Sequence, residues 1–132
     1  PYALAHAQRG GRATVTDSSP ESIGTGRDFA NLHQLKVHYI EGDLGSRTFF
    51  NIEMSQFNNV VLDPPRKGAN AGVLDRLNKY GPPHVIYVSC HGAALARDIG
   101  RLTRYRPGGF IPVDMFPQTP ELETIALLNR AS

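Results

Sequence analysis

Thiols are nearly absent from this 132-residue chain: Cys90 is its single cysteine, so no internal disulfide can form. No apolar run approaches the ~20 residues that a bilayer-crossing helix needs, and no stretch reads as a signal peptide. These absences favour a reducing, cytoplasmic setting. His6, His33, His38, His84 and His91 are scattered, and with one cysteine they supply no zinc cluster, so no metal is expected. There is no internal repeat, no low-complexity segment and no linker. Charge of one sign is also scarce. The formal net charge is +2, although Arg9, Arg12, Arg27, Arg47, Arg66, Lys67, Arg97, Arg101, Arg104 and Arg106 make the positive side rich in arginine. That composition permits contact with phosphates without demanding it.

What is present is an alternation of β-rich runs and helical patterns, in a length that allows one domain spanning residues 1–132. The chain begins at Pro1, and "YALAHAQRGG" reads as a helix running into a glycine stop. This suggests a partial domain with further sequence upstream. "ATVTD" (13–17) reads as a strand; Ser19 and Pro20 then open a helix to about Leu32. "KVHYI" (36–40) is the next strand, followed by a weaker helix or loop from about Gly45 to Gln56. "NVVL" (59–62) and "HVIYVS" (84–89) are two more strands, with helices from about Ala71 to Tyr80 and from about Ala93 to Tyr105. "GGFIPVDMF" and "LETIALLN" read as a closing antiparallel pair. The order predicts an α/β fold with a doubly wound, mostly parallel sheet made mixed by its last two strands.

In such sheets ligands bind beyond the carboxyl ends of the strands. Four strands lead into Asp17, Asp43, Asp63 and Cys90, so three carboxylates and the thiol are expected on one rim. Each aspartate alone is an ordinary turn or cap residue. In "LDPPRKG" (62–68), Pro64 and Pro65 stiffen the chain after an apolar strand and Gly68 frees it to turn.

An Asp-Pro-Pro loop after the fourth strand resembles the substrate-side motif of class I S-adenosylmethionine-dependent methyltransferases. Enzymes of that group that methylate amino groups usually place an aromatic residue after the prolines; Arg66 stands there in this chain. "DPPRKG", "YVSCHGAALARD" and "DMFPQTPELETIALL" together are similar to the RNA uracil-C5 methyltransferase family, in its order and spacing. The likeness is strong after Asn59 and weaker before it. It implies a Rossmann-like catalytic domain that methylates C5 of a uridine in tRNA or rRNA, with S-adenosyl-L-methionine as cofactor and RNA as partner.

By that resemblance Cys90 is the nucleophile that adds to C6 of uracil, making C5 nucleophilic. Its place before a helix favours a thiolate through the helix dipole, and Arg66 can add to this. Glu123 matches the base that removes the C5 proton. Asp63 and Arg66 match the substrate side, with Asp63 holding the polar edge of the base. Asp17 and Asp43 match acidic residues that hold the cofactor's ribose and adenine, with Ser18, Leu44 and Asp63 beside them. Arg97 and Asp98 also match and read as structural, pairing or capping within their helix.

Three departures stand out. The glycine-rich loop that follows the first strand of such folds has no counterpart, since Gly24-Thr25-Gly26 falls inside a helical stretch. Its absence, with that of the strand before it, predicts weak cofactor binding and two strand edges left unpaired. His91-Gly92 stands where the family usually has Asn-Pro, with His91 expected to donate a hydrogen bond as asparagine does. Glu121 replaces a histidine two positions before Glu123. The alternative to an enzyme is a truncated or degenerate domain that keeps the fold as an RNA- or protein-binding module.

Overall fold

The computed structural model describes residues 1–44, 47–115, 117–120 and 122–132. They fall into two compact units, Pro1–Ile52 and Glu53–Ser132.

In the first unit α1 (Tyr2–Gln8) ends at Gly10, whose φ of 86° is the left-handed conformation that glycine adopts without strain. β1 (Ala13–Asp17) and β2 (Val37–Glu41) form a parallel pair running from Ala13↔Val37 to Asp17↔Glu41. Lys36, expected inside β2, stays just before it, yet its carbonyl accepts from Ala13 N–H at 3.0 Å. Between the strands runs α2 (Pro20–Leu32), started as its sequence predicts: Ser19 Oγ accepts from Ser22 N–H at 3.2 Å and Pro20 takes the first helical position. The weak helix expected from Gly45 to Gln56 is two short pieces, α3 (Arg47–Phe50) and a 3-10 turn at Met54–Gln56. Gly45 itself lies outside the described residues.

The second unit holds a four-stranded sheet ordered β3 (Asn59–Leu62), β4 (His84–Ser89), β6 (Glu123–Arg130), β5 (Tyr105–Val113). β3 and β4 are parallel and joined through α4 (Ala71–Tyr80); β6 is antiparallel to both its neighbours, so the sheet is mixed as expected. Among the described residues β1 and β3 each have a strand partner on one side only. Pro107 and Pro112 fall in β5, the strand at the sheet's edge, where a missing N–H costs least.

α5 runs from Gly92 to Arg101, not to Tyr105, and β5 begins at Tyr105 rather than Gly108. The reason is tertiary. Tyr105 is buried and its hydroxyl donates to Pro82 C=O at 2.7 Å, which draws the chain off the helix and into the sheet. The register shift between Pro107 and Gly109 absorbs the misfit.

Alternation along β4 and β6 puts Val85, Tyr87, Ala126 and Leu128 on one face, all buried, with Val73, Leu74 and Leu77 of α4 and Leu95 of α5 completing the core. Arg130 closes it. Its guanidinium donates to the carbonyls of Leu77 (2.8 Å), Asn78 (2.7 Å) and Gly81 (3.2 Å), satisfying the last turn of α4, and to Tyr105 Oη at 3.1 Å. Burial raises the Tyr105 pKa, an effect that Arg130 opposes. Replacing Arg130 with Met keeps the apolar stem and strands these carbonyls. The expected cost is ~2 kcal/mol, measured by chemical denaturation.

Candidate active site

The register of the second sheet decides which residues meet at the carboxyl ends of β3 and β4. Ser89 and Thr124 form the last pair of the β4–β6 ladder, so Cys90, which follows Ser89, and Glu123, which precedes Thr124, lie at the same end of the sheet. Leu62 and Tyr87 form the last pair of the β3–β4 ladder, so Asp63, which follows Leu62, leaves β3 at that same end. Asp63, Cys90 and Glu123 also share the same parity along their strands. The thiol and two carboxylates thus lie at one end of one sheet. Cys90 and Glu123 are half-buried, whereas Asp63 and Arg66 are exposed.

Cys90 sits in a turn closed by its own neighbours. Ser89 Oγ accepts from His91 N–H at 3.1 Å and donates to His91 C=O at 3.0 Å. His91 is the N-cap of α5, with φ −138° and ψ 104°, and its Nδ1 accepts from Ala94 N–H at 3.3 Å. Capping a helix start requires an acceptor, which the imidazole supplies from Nδ1, leaving Nε2 as the nitrogen that can donate. α5 opens at Gly92, so Cys90 lies two residues before its first turn.

The loop from Asp63 to Ala69 is held from below. Gly68 N–H donates to Pro65 C=O at 2.8 Å, and Gly68 is buried with φ 93°. A Cβ there would collide with the Arg97 guanidinium and the Asp98 carboxylate. Ala69 N–H donates to Asp98 Oδ2 at 2.7 Å and to Tyr87 Oη at 3.2 Å, while Tyr87 Oη donates to the same Asp98 oxygen at 2.5 Å. Arg97 binds Asp98 Oδ1 through Nε (2.9 Å) and Nη2 (2.8 Å), and Nη2 also reaches Lys67 C=O at 2.7 Å. Asn70 then caps α4, its Oδ1 accepting from Gly72 N–H at 2.8 Å.

Arg97 and Asp98 do pair, but their reach beyond the helix to the Pro-Pro loop was missed. A signal existed: Ala94, Leu95, Asp98 and Leu102 follow the spacing of one helical face, which makes Asp98 a charge on the buried stripe. Burial pushes the Asp98 pKa up, but the bonds from Tyr87, Ala69 and Arg97 outweigh it and hold the carboxyl below its ordinary value. Burial, with the Asp98 carboxylate alongside, pushes Tyr87 far above the usual phenol range.

In the first unit Asp17 closes β1 and Asp43 follows β2 at the same end of that parallel pair. Asp17, Ser18 and Asp43 are exposed. Asp17 has an Asx-turn role, Oδ1 accepting from Ser19 N–H at 2.8 Å, yet a carboxylate has further acceptor sites. It also borders a cavity of about 450 Å³ lined by Val15, Glu21, Ile23, Thr25 and Tyr39. Glu121 lies outside the described residues. Among the described residues no group of three His, Cys, Asp or Glu is placed to hold a metal, and no helix is long and apolar enough to cross a membrane.

Comparison with solved structures defines the fold. The chain superposes on the Pyrococcus abyssi tRNA (uracil-54, C5)-methyltransferase, solved in complex with S-adenosyl-L-homocysteine, with a TM-score of 0.83 and 30% identity, covering 92% of this chain and 30% of that one. TrmN from Thermus thermophilus matches at TM-score 0.72 with 18% identity, a likeness of fold, over 98% of this chain and 40% of that one. The fold is the Rossmann-like, class I methyltransferase type. Residues 45–131 match the tRNA (Uracil-5-)-methyltransferase family model, and the chain belongs to that family. The tRNA (uracil(54)-C(5))-methyltransferase of Pyrococcus horikoshii is 34% identical over 92% of this chain and 28% of its own length. The 23S rRNA (uracil(747)-C(5))-methyltransferase of Edwardsiella ictaluri is 36% identical over 80% of this chain and 28% of its own. The chain spans less than a third of the length of these two relatives.

The lowered Asp98 pKa fixes a pH dependence. The carboxylate contributes its full stability above its ordinary 3.8, and that contribution is lost as pH falls from there through the lower native value. In Asp98→Asn this slope is expected to vanish. Urea midpoints of the two proteins should run parallel from neutral pH to about pH 4 and converge below it.

Proposed function

We propose that this chain carries the catalytic end of an enzyme that methylates C5 of a uridine in RNA, through a covalent bond between Cys90 and C6. What supports the reading most directly is that the strand ends carrying Asp63, the half-buried Cys90 and Glu123 lie at one end of the second sheet. Its family membership and the two RNA-named relatives agree with it.

The Cys90 thiolate adds to C6, forming the S–C6 bond while the C5=C6 electron pair moves toward O4 and makes C5 nucleophilic. When bound, S-adenosyl-L-methionine would supply the methyl group that C5 takes up, its S–CH3 bond breaking to leave S-adenosyl-L-homocysteine. Asp17 and Asp43, at the carboxyl ends of β1 and β2, suit the hydroxyls and amino group of a nucleoside, and the cavity beside Asp17 falls within the range of small-ligand sites. Once C5 carries both methyl and hydrogen, the Glu123 carboxylate takes the proton. The C5=C6 bond re-forms, the S–C6 bond breaks and the thiolate returns. Asp63 accepts from the polar edge of the uracil and orients the ring, and Arg66 supplies positive charge beside the site. The uridine must be unpaired or flipped out to reach the sulfur.

The test is adduct trapping with RNA containing 5-fluorouridine, which offers no removable proton at C5. The native protein is expected to form a stable covalent complex with labelled cofactor and this RNA, and Cys90→Ala to form none. RNA binding with no adduct in either protein would instead indicate a non-catalytic binding module.

Glu123→Gln is expected to separate the two half-reactions. On ordinary RNA it should accumulate the methylated adduct while turnover falls roughly 10²- to 10⁴-fold, as loss of a general base requires. Gel-resolved covalent complex against released 5-methyluridine measures both.

A further inference from the structure

We propose that Asp98, with Tyr87 and Arg97, is a positioning residue that sets the distance between the uracil-holding loop and the thiol. The inference rests on the reading above for its catalytic consequence and on the structure for its geometry. Asp98 and Tyr87 belong to the two elements that flank Cys90: β4 enters the Cys90 turn and α5 leaves it. Both side chains are fully buried, and both bind the Ala69 amide at the end of the loop that carries Asp63 and Arg66. Arg97 takes the Lys67 carbonyl of the same loop while gripping Asp98. Gly68, in its left-handed conformation, lets the backbone approach close enough for these bonds. The loop is therefore fastened to the nucleophile's own supports. A carboxylate suits this junction because it accepts from an amide, a phenol and a guanidinium at once, fixing three segments through two oxygens. Loosening it lets Asp63 and Arg66 drift from Cys90, and a misplacement of about 1 Å can cost roughly 100-fold in rate.

The experiment measures Asp98→Asn, Tyr87→Phe and Arg97→Lys in the native protein by two readouts. Hydrogen exchange over residues 63–70, which needs no activity, is expected to rise most in Asp98→Asn and less in the other two. The rate of adduct formation on saturating 5-fluorouridine RNA, normalised to the final adduct stoichiometry, is expected to fall roughly 10- to 100-fold in Asp98→Asn, with RNA affinity within about threefold of the native value. If Asp98→Asn does not fold, the same two readouts on Tyr87→Phe and Arg97→Lys decide. Unchanged exchange in the loop, or a native normalised rate in a protein that has merely lost thermal stability, overturns the proposal. A native protein that forms neither adduct nor 5-methyluridine defeats the methyltransferase reading instead, and the exchange data still judge the tether.

Discussion

Everything at the candidate site depends on β4 being flanked by a parallel strand on one side and an antiparallel strand on the other. A parallel neighbour brings the end of β3, and so Asp63, to the same rim as Cys90. An antiparallel neighbour brings a strand's beginning there, and so Glu123. No all-parallel sheet of these lengths would place a strand-opening residue beside a strand-closing one. The mixed sheet is thus the condition for a thiol and two carboxylates from three distant stretches of chain to share one end. Hydrogen bonding holds that register firmly, because a slip of one residue would turn the buried Val85 and Tyr87 to the opposite face.

The register is coarse, however, and a loop of seven residues can wander beyond it. Here the buried Asp98 matters. A carboxylate removed from water costs several kcal/mol unless its oxygens are fully bonded; this one receives Tyr87, Ala69 and two guanidinium nitrogens. That its ionised form is favoured despite burial means the bonds more than offset the desolvation. An apolar residue of similar size could fill the space, but it would leave the Ala69 amide only its longer bond to Tyr87 Oη and would remove the acceptor that Tyr87 and Arg97 share.

What the sequence disclosed follows from locality. The helix starts at Ser19 and about Ala71, the strands around Val15, Val61 and Ile86, and the closing antiparallel pair are all written in short-range pattern and were legible, to within a few residues at their ends. Tyr105 was misplaced because its partner, Pro82, lies 23 residues away and helical periodicity cannot report it. Cys90 stood out by being alone at a strand end. Glu123 did not, since a glutamate opening a strand has no periodic signature; only likeness to a family picked it out, and its place at the start of β6 is a long-range fact of sheet order. Asp98 is the instructive middle case: helical spacing marked it as buried, but which loop it served is a long-range fact.

The departure at His91-Gly92 shows how the Cys90 turn can change its residues and keep its shape. A helix N-cap needs an oxygen or nitrogen acceptor for a free amide, and His91 Nδ1 provides one for Ala94. Proline at the first helical position would pre-set φ; Gly92 does not, and the freedom it restores to the unfolded chain costs about 0.5–1 kcal/mol. Ser89 offsets part of that looseness, because its hydroxyl engages both the amide and the carbonyl of His91 and closes a ring of bonds around Cys90. The turn that carries the sulfur is consequently closed by its two neighbours' hydrogen bonds where proline would have stiffened it by covalent geometry, and Cys90 itself stays half-buried.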